Sequence, residues 1–214
     1  MLQFLLTLCL SALLVLTTGI PTVTAAPDRI LAAVRPIQAI ALGRTGPALV
    51  NICTTTAIND HLWLTAEHCV GLGEGIRYIS GDEVRVIMRD VPNDLAILHT
   101  PRTTAPAIAL ASTAPTYDTR IRVVGHPFGF PDALAVLGTV AHPASQFTLT
   151  PDYARPFMFL NVTGAPGNSG SGVFTTKGEL VSVVQIGFCD RKSFCSMMAG
   201  VTWDVLDGYR MYWQ

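Results

Sequence analysis

Beyond residue 26, apolar residues almost never recur at the three-and-four spacing of a helix face. They come instead in short continuous or alternating runs, over 48–53, 61–65, 77–80, 83–89, 95–99, 120–125, 135–140, 158–162, 172–175, 180–186 and 198–202. Gly, Pro, Asn, Asp and Ser separate these runs, and short apolar runs bounded by turn-formers are strands. So many strands with so little helical pattern between them predict an all-β sandwich or barrel. The final stretch, 203–214, differs: Val205, Leu206, Tyr209, Met211 and Tyr212 are spaced as on a short amphipathic helix, with Gly208 as a weak point inside it. Residues 100–116, TPRTTAPAIALASTAPT, hold Pro101, Pro106 and Pro115 and little charge. Proline cannot donate to a ladder, so this segment is the expected linker between an N-terminal lobe, 26–99, and a C-terminal lobe, 117–214.

The first 25 residues change the compartment. They carry no charge, run almost without interruption through Leu, Val, Ala and Thr, and close on Pro21 and the small-residue stretch Val23-Thr24-Ala25. That is the pattern of a secretory leader cut after Ala25, and it predicts a secreted, extracytoplasmic protein. A basic residue is missing at its start and the run is long enough to span a bilayer, so an uncleaved anchor is the competing reading. Membrane contact is expected only in that case. With 14 Lys and Arg against 15 Asp and Glu, a net charge of −1 and no basic cluster, nucleic acid is excluded as a partner. Once Cys9 leaves with the leader, Cys53, Cys69, Cys189 and Cys195 remain, an even number that reads as two disulfides in an exported chain. Their separations favour local bridges, and neither close pair has the C-x2-C spacing of a zinc knuckle. No cofactor and no metal is expected, and the protein is expected to be a monomer.

Three motifs then stand in the order His, Asp, Ser: TAEHC with His68, NDLAIL with Asp94, and GAPGNSGSGVF with Ser169. Taken singly, each has an ordinary structural reading as a core histidine, a strand-edge acid and a glycine-rich turn. Together they match what serine nucleophile chemistry requires. A hydroxyl attacks only when a base takes its proton, and a carboxylate must hold that base in one tautomer. The developing oxyanion needs backbone N–H donors, and Gly167 and Gly170 around Ser169 allow a turn that aims the N–H groups of Gly167 and Ser169 at one point.

On these residues the chain resembles the trypsin-like, chymotrypsin-fold serine peptidases over most of its length after the leader, and the VVGHPFGF stretch over 123–130 is closer to bacterial members. The short His68-to-Asp94 interval also resembles bacterial and viral members more than animal zymogens. The resemblance implies two six-stranded antiparallel β-barrels with the active site in the cleft between them and a short C-terminal helix. It implies an endopeptidase acting on peptide or protein substrates through an acyl-enzyme, with Ser169 as nucleophile, His68 as base and Asp94 as the orienting acid. Cys53–Cys69 would close the histidine loop, and GELVSVVQIG over 178–187 would pair with substrate backbone through Gln185, Ile186 and Gly187. Asp90 is the reserve acid.

Departures from the family pattern carry expectations of their own. Asn168 stands where activatable trypsins place an aspartate for a newly cut N-terminus, so the oxyanion hole is expected to form without zymogen cleavage. Gln185 replaces a serine that bonds the acid. By position, Thr163 sits at the base of the specificity pocket, with Gly164, Val184, Gly187 and Gly200 around it. No charge lies among them, so an open pocket for a neutral, apolar or aromatic side chain is expected. Cys189 has no partner at Ala165 and is expected to pair with Cys195, stapling the loop CDRKSFC. Glu67 is read as a neighbour outside the chemistry, and His61, His99, His126 and His142 as turn or surface residues. A non-catalytic binding module on the same fold is the alternative function. An α/β-hydrolase is excluded by the order of the three residues.

Overall fold

The computed structural model describes residues 28–43, 46–71, 77–148, 154–192 and 194–214. The expected leader, with Cys9, lies outside the described residues. The fold is all-β, as the run pattern requires, in two antiparallel sheets. Strands β1 (Val34–Gly43), β2 (Gly46–Ala57), β3 (Leu62–Thr65), β4 (Arg77–Ile79), β5 (Asp82–Glu83), β6 (Arg85–Asp90) and β7 (Leu95–His99) form the first. Its order is β5-β4-β1-β2-β3-β7-β6. Strands β8 (Arg120–Gly125), β9 (Leu134–Thr148), β10 (Ala154–Asn161), β11 (Gly172–Thr175), β12 (Leu180–Cys189) and β13 (Cys195–Gly200) close into a six-stranded barrel. The first lobe is thus a seven-stranded sheet that stays open among the described residues, whereas the second is a closed barrel.

β1 is a strand that the hydropathy pattern does not announce, because Pro36 and Gln38 interrupt it. Proline is tolerated there because β4 pairs only with Gln38 and Ala39, so no neighbour on that side needs the missing N–H of Pro36. A bulge between Ile37 and Gln38 absorbs the irregularity against β2. The helix expected over 203–214 forms as a short α-helix, Trp203–Asp207, and a separate 3-10 turn, Arg210–Trp213, because Gly208 ends the first piece.

Three apolar clusters hold the molecule. One lies within the first lobe around Ile37, Trp63, Ile79 and Leu98, and one fills the barrel around Val140, Met158, Leu160 and Val173. The third joins the lobes: Leu64, Leu95 and Ile97 of the first sheet pack with Val124, Phe174, Leu180 and Val183 of the barrel and with Leu206 of the C-terminal helix. Residues 100–119, which carry no regular element, feed Ile108 and Leu110 into that shared core and accept a hydrogen bond from the Trp213 indole at the Ile108 carbonyl, 2.8 Å. The two sheets are therefore fixed against each other by buried surface, which keeps any site between them preorganised.

At the N-terminal end, a one-turn helix, α1 (Arg29–Ala33), is capped by Asp28, which accepts from the Ile30 N–H at 2.9 Å and ion-pairs with Arg122 of β8. The Arg122 guanidinium holds the Asp28 carboxyl below its ordinary value, and burial only partly opposes it.

Candidate active site

The short turn of helix after β3, α2 (His68–Gly71), places His68 at its first position. There the Asp94 carboxylate does two jobs. Its Oδ1 accepts the His68 backbone N–H at 2.8 Å, and its Oδ2 meets His68 Nδ1 at 2.9 Å. A carboxylate only accepts, so the proton of a neutral imidazole resides on Nδ1 and Nε2 is left with a free lone pair. Asp94 is 2% exposed and His68 28%, so the acid is sealed while the ring reaches the surface. Asp94 adopts φ +49°, a left-handed backbone unusual for an L-residue, at the entry to β7.

Gln185 secures that entry from the other lobe. The β12–β13 register shifts between Val184 and Ile186, so Gln185 is a bulge residue whose side chain turns inward. Its Nε2 donates to the carbonyls of Asn93, 2.7 Å, and Asp94, 2.9 Å, and its Oε1 accepts from Arg155 of β10 at 3.1 Å. Arg155 also donates to the Pro92 carbonyl at 2.8 Å. The amide thus bonds the backbone of Asp94 rather than its carboxylate. Sequence alone flagged the substitution at 185 but not Arg155, for which nothing in the local pattern signals a long-range partner.

Asp90 is committed elsewhere. It bonds the Tyr209 hydroxyl and accepts from Asn93 Nδ2 at 2.7 Å. Burial raises its carboxyl, but these donors outweigh that effect and leave it below the ordinary range. Burial and the same contact push the Tyr209 hydroxyl up to about 12. Glu67, next to His68, is nearly buried and ion-paired with Arg89 of β6, outside the His68–Asp94 contact.

Ser169 lies in the turn between β10 and β11. Gly167 and Gly170 have φ of +96° and +82°, and neither could carry a side chain. A Cβ on Gly170 would stand 2.0 Å from the Thr54 carbonyl oxygen, and one on Gly167 2.4 Å from that of His126. The turn is pressed so closely onto β2 that Thr54 clamps it. The Thr54 N–H donates to the Ser169 carbonyl at 2.8 Å, and its hydroxyl donates to the Gly167 carbonyl at 2.9 Å while accepting the His126 N–H at 2.9 Å. The N–H groups of Asn168 and Ser171 bond within the turn, to the Ala165 and Asn168 carbonyls, and that of Gly170 donates to the Val184 carbonyl of β12. Those of Gly167 and Ser169 have no partner among the described residues, so two amides stand ready to donate. Thr54 escaped the sequence reading, although three successive threonines in a buried strand are a signal that polar partners wait nearby.

The neighbour of Thr54 ties the other half in. Cys53 is disulfide-bonded to Cys69, and His68 places a ring nitrogen within 4.8 Å of both sulfurs. His68 and Ser169 are thereby held to adjacent residues of one strand. The Ser169 hydroxyl makes no hydrogen bond to His68 in this arrangement. With both sulfurs in the disulfide, neither can serve His68 as a thiolate partner for a metal.

The residues matched to a specificity pocket differ in burial. Thr163 and Gly187 are exposed, and Gly164 is bridged to Cys195 by two backbone bonds of 2.9 Å. Val184 and Gly200 are buried in the barrel. The room their missing side chains leave is already used: Met198 Sδ lies 2.4 Å from where a Gly164 Cβ would be, and Ser182 Oγ 2.4 Å from that of Gly200. Cys189 and Cys195 form the second disulfide. Along β12, pairing with β11 ends at Val183 and β13 covers only one side, so Gln185, Ile186 and Gly187 present a strand edge without a ladder partner among the described strands.

An imidazole–carboxylate pair thus stands on one lobe of a two-lobed all-β molecule and a glycine-framed serine turn on the other, each tied to adjacent residues of β2. The chain belongs to the trypsin-like peptidase domain family, which it matches over residues 53–183. Its fold is similar to that of the HtrA-type protease AlgW with a decapeptide, with a TM-score of 0.72 and 15% identity. That likeness covers 86% of this chain, which spans 65% of the length of that one. It is also similar to the Rv3671c protease of M. tuberculosis. The Ser343Ala mutant in its inactive form gives a TM-score of 0.67, 17% identity and coverage of 90% and 92% of the two chains. The active form gives a TM-score of 0.67, 20% identity and coverage of 84% and 79%. No curated protein matches the sequence.

Proposed function

We propose that the protein is an extracytoplasmic serine endopeptidase with Ser169, His68 and Asp94 as its triad. The observation that carries this reading is the sealed Asp94 carboxylate, which fixes His68 with a bare Nε2; the serine turn, with two amides unpaired among the described residues, is bonded to Thr54, next to the Cys53 that is cross-linked to Cys69. In the reaction, Ser169 Oγ bonds to the substrate carbonyl carbon as its proton passes to His68 Nε2. The carbonyl oxygen becomes an oxyanion that the Gly167 and Ser169 N–H groups receive, and one such donor is worth about 3 kcal/mol of barrier. The C–N bond then breaks, the amine leaves with the proton from His68, and water reverses the sequence to release the acid and restore Ser169. Asp94 stays ionised throughout and stabilises the imidazolium. The acyl-side backbone adds as a strand to the edge at Gln185–Gly187.

Two further features support the cellular and regulatory parts of this reading. Two disulfides suit an oxidising compartment, and no helix among the described residues is long and apolar enough to cross a membrane. Asn168 is buried against Met198 and the Ser171 hydroxyl, which suits an oxyanion turn that needs no N-terminal ammonium. The test is covalent labelling with a fluorophosphonate probe, read as the mass of the intact protein. Wild type is expected to gain one adduct, and Ser169→Ala and His68→Ala none. A wild-type protein that stays unlabelled at mildly alkaline pH overturns the enzyme reading in favour of a binding module.

A further inference from the structure

Three phenylalanines stand in solvent beside the serine turn: Phe128 and Phe130 are each 49% exposed and Phe194 62%. They come from two separate loops and meet edge to face. Phe128 lies 5.8 Å from Phe194 and 6.3 Å from Phe130, centroid to centroid. Both loops are held stiffly. Phe128 sits at φ +54° in the turn Pro127–Gly129, its N–H bonded to the Pro166 carbonyl. The Gly129 carbonyl takes a 2.9 Å bond from Asn51 of β2, and the Phe130 carbonyl faces His126 Nδ1 at 2.9 Å. Phe194 closes the Cys189–Cys195 loop, its N–H bonded to Asp190 Oδ1 at 3.0 Å and its carbonyl to the Asp190 N–H at 2.9 Å. A left-handed phenylalanine costs free energy, and here it and the cross-linked loop hold apolar faces out in water where burial gains nothing.

The location supplies the reason. Phe128 is bonded to Pro166, which precedes the oxyanion candidate Gly167. Phe194 precedes Cys195, which is paired to Gly164. The two rings therefore flank the 164–167 segment from outside, next to the point where the attacked carbonyl would lie. Beside Gly164 of that segment, Met198 has taken the space that the missing side chain would otherwise leave. The loop carrying Phe194 also continues from the free β12 edge that would carry acyl-side backbone.

We propose that Phe128, Phe130 and Phe194 form the subsite for the substrate residue whose carbonyl is attacked, and that they select a large apolar or aromatic side chain there. This rests on the endopeptidase reading above. Such a side chain would lie on the ring faces at the rim rather than descend into a deep pocket, and an aromatic one would extend the edge-to-face set that the three protein rings have begun. Phe128 and Phe130 extend the same surface toward the β1–β2 hairpin, so an apolar leaving-side residue can share it.

The experiment is position-resolved cleavage profiling of a peptide library, run on the full chain alongside fluorophosphonate labelling. The quantity read is the ratio of kcat/KM for Phe over Ala at the acyl-side position within each enzyme. Wild type is expected to favour Phe, Leu or Tyr over Ala, and Phe194→Ala to lower that ratio about tenfold or more, the discrimination an apolar contact confers. Phe128→Leu, which keeps an apolar side chain on a turn that Ala could disturb, is expected to reduce the Phe and Tyr preference while sparing Leu. Labelled, cutting enzyme whose profile favours small or charged residues overturns the subsite alone. So does an unchanged ratio in Phe194→Ala. Neither labelling nor cleavage by wild type overturns the peptidase reading and the subsite with it.

Discussion

Gly170 bears more on the candidate site than its lack of a side chain suggests. Its φ of +82° is strained for any other residue, and the space beside it is filled by the Thr54 carbonyl and the Thr65 hydroxyl, which would lie 2.0 and 2.3 Å from a new Cβ. Backbone cannot retreat as a flexible side chain can, so Gly170→Ala is expected to lose about 2 kcal/mol or more, read from the urea midpoint. Because the same shift would pull Ser169 from Thr54, probe labelling should slow as well. Gln185 gives a second expectation at this scale. Gln185→Leu keeps the approximate volume but strands the Asn93 and Asp94 carbonyls and removes an acceptor from Arg155. Each stranded buried group costs about 1–3 kcal/mol. A fall in kcat of about tenfold with KM little changed is the expected signature, since the backbone of Asp94 would lose its support while the substrate edge stays. His68, Asp94 and Ser169 could be singled out as candidates in sequence because their motifs are local. Thr54 and Arg155 were not, because their partners lie on the other lobe, and nothing in CTTTA or YARPF names them.

Among the elements, strands were readable wherever both ends were marked by turn-formers. The runs at 95–99, 120–125 and 172–175 coincide with β7, β8 and β11, whereas β9 outruns its pattern through polar positions such as His142, Ser145 and Gln146, and β12 outruns its own through Gly187, Phe188 and Cys189. The open first sheet was not readable, since closure depends on pairing between strand edges rather than on any one run. The C-terminal piece shows how an element gains a task from packing. Tyr209, just beyond Trp203–Asp207, bonds Asp90 at the end of β6. Tyr209→Phe removes a hydrogen bond to a carboxylate, worth about 1.5–3 kcal/mol when well formed and less where partly solvated. The Asp90 carboxyl is held below its ordinary 3.8, so its contribution is present above that value and disappears as pH falls through its lower folded value. The stability gap between wild type and Tyr209→Phe, from denaturant titrations, should be full near neutrality and close below pH 3.8.

At the scale of the molecule, the junction of the lobes and the tie of Asp28 to the barrel decide how the protein responds to its surroundings. His126 lies in that junction, 2% exposed, its N–H on Thr54 and its Nδ1 on the Phe130 carbonyl. Burial depresses its basicity; nearby Arg35 acts in the same sense, while the carbonyl contacts and Asp132 oppose them. The unfolded chain therefore takes up a proton near 6.5 before the folded one does, and stability should fall as pH drops through that value and flatten below the folded one. Urea midpoints at pH 7.5 and 5.5, with His126→Asn as the control whose dependence is weaker, measure this. The other end of the barrel carries the last expectation. Asp28 is tied to Arg122, and Ile30 lies over Gly178, in the turn between β11 and β12 at the end of β11 opposite Ser169. Asn168 carries no charge to receive an N-terminal ammonium. Extra residues fused ahead of position 28 should leave the fluorophosphonate labelling rate unchanged. A rate that rises only on trimming to one particular end would overturn zymogen-independence. Asn168→Asp sharpens the test: with no cation beside it, a buried carboxylate should cost stability, by about 1–3 kcal/mol, rather than make activity depend on the N-terminus.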